Sequence, residues 1–260
     1  LTSSSQDFAT LVEQEFRLGN ISWRLAAESS AAGFPPLLRL LVPDKTSKTQ
    51  DHWVKLLVVD VGAGSTDCGY FVSSRRRDGT LVLNYLRPAP TLDYAGEQLT
   101  EMLRDFYLRE KGRDLTIQEA ETLKIDAPDQ WAQATFVADW RSRIAKAVSD
   151  YMYRVPDELR LGEPAIPGLK IIMTGGSGMV AGLDAAVRSE VVEALSRRGV
   201  PGNVAGRTEV VPFTPERTQY TVDRLRRAVS IGAGQDNFAD LRYREAFARA
   251  AAPPGRVERW

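Results

Sequence analysis

LLVVDVGAGSTDCGYFV, residues 56–72, is the stretch on which the fold turns. An apolar run ends on Asp60. Gly62 and Gly64 follow, then the hydroxyls of Ser65 and Thr66, then a second carboxylate, Asp67. VKLLVVD, from Val54 to Asp60, reads as a strand buried on both faces. The glycines after it let the backbone come close to a ligand and present amide N–H groups. A carboxylate at the end of a buried strand is costly without a partner. A hydrated Mg²⁺ is a natural partner, because that ion is usually held by one or two carboxylates together with phosphate oxygens. The same residues also suit a capped hairpin turn. Two readings therefore stay open at this point, a turn between strands or a phosphate loop.

Further along, CGYFVSS and TLVLNYL flank RRRDG, where Asp78-Gly79 predicts a hairpin turn. From Ala95 the spacing becomes helical. Leu99, Met102, Leu103 and Phe106 recur on one face, and so do Val137, Trp140, Ile144, Val148 and Tyr151. A second block opens with LKIIMTGGSGMVAGL, in which KIIMT is a strand running into glycines. A helix follows with Val180, Leu183, Val187, Val191 and Leu195 on one side. Strand, glycine loop and helix N-terminus together form an anion- or nucleotide-binding arrangement. It is not a P-loop, since no Gly-Lys-Ser/Thr follows, and its glycine spacing is not that of the dinucleotide fingerprint. TEVVPF reads as a short strand and VDRLRRAVSIGAG as a final helix.

Before the opening stretch, residues 7–18 place Phe8, Leu11, Val12 and Phe16 on a helical face, and NISWRL reads as a strand. ESSAAGFPPLLRLLV carries Ser29 and Ser30 as capping residues and Pro35-Pro36 as an interruption. Residues 43–52 read as a polar loop. The resulting division is 1–96 for the first part of an α/β lobe and 97–165 for an inserted, mostly helical subdomain. Residues 166–240 form the second part of the lobe, and 241–260 a loose C-terminal tail.

The 260 residues are ample for a core, and 43% hydrophobic with 26% charged residues is an ordinary globular composition. Lys+Arg and Asp+Glu are 34 each, which removes the bulk electrostatic case for a nucleic-acid partner. Arg75-Arg76-Arg77 and the arginines of 224–227 read as solvated faces. One cysteine, Cys68, and one histidine, His52, exclude an internal disulfide and a structural zinc site of the usual kind. With no apolar run near the ~20 residues of a membrane span, these features fit a cytoplasmic setting without a membrane partner. The chain opens on Leu1, as a piece of a longer protein would.

VVDVGAGST and IIMTGGSG, in this order, resemble the second phosphate motif and the adenosine motif of the actin-like ATPases. That superfamily includes the seventy-kilodalton heat-shock chaperones, bacterial actin homologues and sugar kinases. The heat-shock branch is the most similar, through four further segments. AAESSAAGF resembles the Glu-Pro-Thr-Ala-Ala-Ala segment and YAGEQLTEML the Gly-Gly-Glu-Asp segment. EAETLKI resembles the Glu-x-x-Lys helix beside the nucleoside, and RRAVSIGAGQ the closing Ala-Val-x-x-Gly-Ala-Ala helix. The likeness runs over residues ~20 to ~235, by order and approximate spacing.

The resemblance implies an α/β, ribonuclease H-like lobe of the actin-like ATPase kind, a mixed sheet with flanking helices and an inserted helical subdomain. It implies ATP/ADP and Mg²⁺ as cofactors. Asp60 would hold the metal through water. Gly62, Ala63, Gly64 and Ser65 would wrap the β- and γ-phosphates, and Glu28 would orient the attacking water. Gly96 would approach the phosphates from the other side. Glu121 and Lys124 would flank ribose and purine, and Gly175, Gly176 and Ser177 would line the opposite face of the nucleoside. Phosphoryl transfer needs positioning and charge neutralisation more than covalent chemistry, and metal, amides and hydroxyls supply both.

There are departures from the family pattern. Ala63 stands where the family has a glycine, and Ser65 where it has threonine. Glu28 is followed by serine and lies farther from Asp60. No first-lobe Asp-x-Gly loop or catalytic lysine precedes residue 20, so the chain matches the second lobe alone. Its expected partner is a first lobe, upstream or on a separate chain, with a protein client or co-factor beyond it. The intact parent would hydrolyse ATP and the isolated lobe would have little activity. Three alternatives remain: a nucleotide-sensing or regulatory module without hydrolysis, an actin-like filament or scaffold ATPase, and a sugar or acid kinase. The last lacks any acceptor-site motif.

Overall fold

The computed structural model describes residues 35–42, 52–87, 92–155, 168–211 and 242–245 of the chain. The expected helix at 7–18, the strand NISWRL, Glu28 and the closing helix RRAVSIGAGQ lie outside these residues. Strand β1 (His52–Val61) is buried from Val54 to Val61, as its apolar sequence requires. It turns at residues 62–65 into β2 (Thr66–Arg75), and the two pair antiparallel from Val61↔Thr66 to His52↔Arg75. The opening stretch is therefore a hairpin in its covalent path. β2 continues antiparallel to β3 (Leu81–Arg87) through the expected turn. There Thr80 N bonds Asp78 Oδ1 at 2.9 Å, and Gly79 takes φ 87°, a left-handed conformation that favours glycine.

β4 (Lys170–Thr174) adds parallel to the free edge of β1, and β5 (Glu209–Val210) adds parallel to β4. A parallel pair needs a crossover, and the helix α4 (Leu183–Arg197) supplies it between β4 and β5. The antiparallel meander β1-β2-β3 is extended by parallel strands on the β1 side. The fold is thus α/β, a mixed sheet with flanking helices, in the order β5-β4-β1-β2-β3-β6.

The outermost strand, β6 (Arg242–Glu245), falls inside the stretch read above as a loose tail. It pairs parallel to β3 from Asn84↔Arg242 to Arg87↔Glu245. An open strand edge offers backbone donors and acceptors to any segment the chain brings there, so RYRE needs no strand-like side-chain pattern. What precedes Pro35-Pro36 lies outside the described residues. Residues 35–40, which include both prolines, are helical.

Between β3 and β4 run α1 (Gly96–Lys111), α2 (Ile117–Asp126) and α3 (Thr135–Arg154). The core forms where one face of the sheet meets α1, α3 and α4. Leu57, Val59 and Val61 of β1, with Cys68, Tyr70 and Val72 of β2, share it with Leu99, Leu103, Trp140, Ile144, Val148, Val187 and Val191. Each such fully buried aliphatic side chain contributes ~1.5–3 kcal/mol relative to exposure. The alternate residues Leu56, Val58, Phe71 and Ile172 point to the other face and are also fully buried. That is why β1 has no polar alternation.

α2 begins with a reciprocal cap. Thr116 Oγ1 accepts from Glu119 N at 3.2 Å, and Glu119 Oε2 accepts from Thr116 N at 2.8 Å. Thr116→Ala is expected to destabilise this helix by ~1 kcal/mol, read as faster amide exchange in α2 with α3 unchanged. The Thr116 amide and hydroxyl, with the Arg113 guanidinium, hold the Glu119 carboxyl below the usual glutamate range. A depressed folded value means the cap is in place above the ordinary carboxylate range and is lost as pH falls through the folded value.

Candidate functional site

Asp60 is the penultimate residue of β1, in the middle of the sheet. Its Cα partners are Asp67 on β2 and Thr174 on β4, so all three residues share one face. Asp60 is 8% exposed, and Thr174 Oγ1 donates to its Oδ1 at 3.4 Å. Ser65 Oγ donates to Asp67 Oδ2 at 3.1 Å. Next to Asp67 on β2, but on the core face of the sheet, is the buried thiol of Cys68. Burial first, then the charges of Asp67 and Asp60, raise its pKa far above the ordinary cysteine range, so it is not a nucleophile here.

The loop 62–65 closes through Gly62 N to Ser65 O at 2.9 Å. Its outer side is fastened to the first turn of α1, where Gly96 N donates to Gly62 O at 3.1 Å and Glu97 N to Ala63 O at 2.7 Å. Among the described residues, the amides of Ala63, Gly64 and Ser65 take no backbone carbonyl. Ala63 and Gly64 are exposed. Among the described residues a methyl on Gly62 would find only Ser65 O, at 3.4 Å, and one on Gly64 only the Glu97 carboxylate, at 3.8 Å. The packing of the described residues demands neither glycine.

Gly96 and Gly175 are different. A Cβ on Gly96 would run into Ser177 Oγ and stand 3.0 Å from Gly62 O. Gly175 takes φ 80° and ψ 157°, and a Cβ there would collide with the Val61 carbonyl and reach Asp60 Oδ1 at 2.5 Å. The end of β1, the start of α1 and the Gly175-Gly176-Ser177 turn therefore meet at one junction, with Asp60 beneath it. The structure brings Asp60, Gly62, Gly96, Gly175 and Ser177 together there and sets Ala63, Gly64 and Ser65 at its open rim.

The second glycine segment does not run directly into a helix N-terminus, as the sequence pattern suggests. Gly176–Met179 forms a 3-10 turn, and Gly182, at φ 79°, precedes α4. Val180 consequently lies before the helix instead of on its face. The left-handed Gly182 redirects the chain, so the N-terminus of α4 begins beyond the glycine turn.

Glu121 and Lys124 form an i,i+3 ion pair at 2.7 Å on α2. Lys124 Nζ also donates to Gly96 O at 3.1 Å and to Thr100 Oγ1 at 2.7 Å. Thr100 Oγ1 lies 3.0 Å from Gly96 O and also contacts Glu121 Oε1. On the other side of the same turn, Trp140 Nε1 donates to Ala95 O at 2.7 Å, and Thr66 Oγ1 to Tyr94 O at 2.8 Å. Sequence reasoning missed Thr174, Glu97, Thr100 and Trp140 as members of this site. Only Thr100 carried a signal, because it stands four residues after Gly96 on the same helix face.

No protein-family model matches the sequence, and no curated protein does either. Among solved structures, the chain is similar to the archaeal actin homolog Ta0583 in complex with ADP, with 16% identity and a TM-score of 0.38. That match covers 80% of this chain and 55% of the other. It is also similar to the ethanolamine utilization protein EutJ from Carboxydothermus hydrogenoformans, with 18% identity and a TM-score of 0.31, over 64% of this chain and 47% of that one. The chain spans about half the length of these solved structures. At such identities and TM-scores the likeness assigns no activity, and a functional reading has to stand on the junction itself. Among the described residues no helix is long and apolar enough to cross a membrane.

Proposed function

We propose that the chain is the second lobe of an actin-like, heat-shock-chaperone-like ATPase, and that residues 62–65 are its β- and γ-phosphate loop. The observation that carries this reading is the loop. Among the described residues its glycines serve no packing need, and its three amides at Ala63, Gly64 and Ser65 take no backbone acceptor. Free amides and missing side chains on a fixed turn beside a buried carboxylate suit a polyphosphate. In this reading Asp60 holds Mg²⁺ through water and Glu28 orients the attacking water. Ser177 with Gly176 faces the nucleoside.

The residues fit such a metal in one way only. No cluster of three or more His, Cys, Asp or Glu side chains stands among the described residues, so a cage made by protein alone is not available there. One carboxylate with waters and phosphate oxygens is the usual arrangement for Mg²⁺. The metal would supply charge neutralisation at the phosphates. In the parent protein, cytoplasmic in this reading, a first lobe would complete the site and a client or co-factor would use lobe closure.

Titration with Mg-ATP tests the proposal, with tryptophan fluorescence as the readout. Trp140 is the reporter of choice because its indole N–H bonds Ala95 O, beside the loop's anchor. Saturable, Mg²⁺-dependent change with little or no turnover is expected. Turnover comparable to an intact ATPase would remove the half-site part of the reading. Ala63→Gly is expected to tighten ATP binding roughly tenfold, since an intruding methyl costs ~1–3 kcal/mol in a close contact. Absence of binding in both forms would leave the loop as a turn only.

A further inference from the structure

We infer that Lys124 is a positioning residue for the loop at 62–65: its ammonium clamps the first turn of α1, and that turn holds the loop. This rests on the phosphate-loop reading above. An ammonium has three N–H donors and no acceptor. Here all three are engaged within the chain, on Gly96 O at 3.1 Å, Thr100 Oγ1 at 2.7 Å and Glu121 Oε1 at 2.7 Å. The Lys124 side chain is 14% exposed. It therefore has no donor to spare for a ribose or a base.

The Gly96 carbonyl is what Lys124 grips, and the Gly96 and Glu97 amides are what grip the loop, at Gly62 O and Ala63 O. Peptide geometry links these contacts rigidly, because the Gly96 carbonyl and the Glu97 amide belong to one planar unit. Lys124 on α2 thus fixes the plane whose N–H holds Ala63 O at 2.7 Å. Thr100 relays the same grip. Its hydroxyl accepts from Lys124 and stands within reach of Gly96 O and Glu121. The ion pair with Glu121 keeps the ammonium aimed at the Gly96 carbonyl. The loop is held from α2 through one carbonyl, without any side chain on the loop itself.

The test uses Lys124→Met, which keeps the stem and removes the donors. Backbone amide exchange at Gly96 and Glu97 is measured together with binding of Mg-ATP and of Mg-tripolyphosphate, a probe without a nucleoside. Expected are exchange at both amides faster by about tenfold or more, unchanged protection inside α3, and equal losses of affinity for the two probes. A positioning role requires the equal loss, because tripolyphosphate touches only the loop side. Loss of ATP binding with tripolyphosphate binding intact would overturn the inference and make Lys124 a direct nucleoside contact. Unchanged exchange at Gly96 and Glu97 in a folded Lys124→Met protein would overturn it as well.

If the unsubstituted chain binds neither probe, the phosphate reading fails, and the exchange result still decides whether Lys124 fixes the loop. Thr100→Val, which removes the relay hydroxyl at nearly constant shape, serves if Lys124→Met does not fold. It is expected to speed exchange at the same two amides by a smaller factor, and no change there would overturn the clamp.

Discussion

Gly175→Ala is expected to lower the unfolding free energy by roughly 2–6 kcal/mol, the largest effect of any single methyl added to the junction. Two independent costs add. At φ 80° and ψ 157° the residue occupies a region essentially reserved for glycine, worth ~1–3 kcal/mol for any other side chain. The added Cβ also collides with the Val61 carbonyl and stands 2.5 Å from Asp60 Oδ1, both on a buried central strand that cannot move aside. Overpacking of that kind costs a further ~1–3 kcal/mol. Domains of this size are stable by only ~5–15 kcal/mol, so the variant sits near the edge of folding. Urea unfolding measures it: the midpoint should fall with little change in slope. A midpoint within experimental error of the parent would mean that β1 and the Gly175 turn are not packed as described. The resemblance sets Gly175 against the nucleoside; the structure shows a second reason for glycine there, independent of any ligand.

Gly96→Ala is expected to cost ~1–3 kcal/mol and to abolish phosphate binding at the loop. The added methyl runs into Ser177 Oγ and presses on Gly62 O at 3.0 Å, and Gly62 O is the acceptor that fastens the loop to α1. Ser177→Ala in the same chain removes the nearer obstacle. The double variant should recover ~1 kcal/mol or more relative to the sum of the single changes, as residues in contact do. The Gly62 carbonyl remains in the way, so binding should recover only in part. Strict additivity in the cycle would show that Ser177 is not what excludes a side chain at Gly96. Together the two glycine variants separate fold from function. Gly175→Ala acts mainly on stability, while Gly96→Ala displaces the anchor of the loop.

The central strands were legible because their signals are local. VKLLVVD is apolar without alternation, and only a strand covered on both faces uses such a run. Asp78-Gly79 supplies the left-handed turn that RRRDG needs. The helix stripes from Leu99 to Phe106 and from Val137 to Tyr151 turn one face to the sheet. Legibility failed where long-range contact decides. Nothing in RYRE marks it as a strand, because the open edge of β3 provides the pairing. Nothing in VAGL announces that Gly182 would turn the chain before α4 begins. Glu121 and Lys124 read as an i,i+3 pair on a helix, and the sequence does not say that Lys124 would reach Gly96, 28 residues away.

By itself the sequence determined the central strands, the turn at Asp78-Gly79, the helix stripes of α1 and α3, and the placing of Asp60 near the end of a buried strand. Those features follow from periodicity, turn chemistry and the cost of burying a carboxylate, all of which act within a few residues. Only the tertiary structure decided which glycines serve the fold and which leave room at the loop. Gly96 and Gly175 are filled against by Ser177, Gly62, Val61 and Asp60, whereas among the described residues Gly62 and Gly64 face little that a methyl would touch. Whether a side chain fits is a question of what lies opposite it in space, and residues 60, 96 and 175 become neighbours only when the sheet and its first helix are assembled.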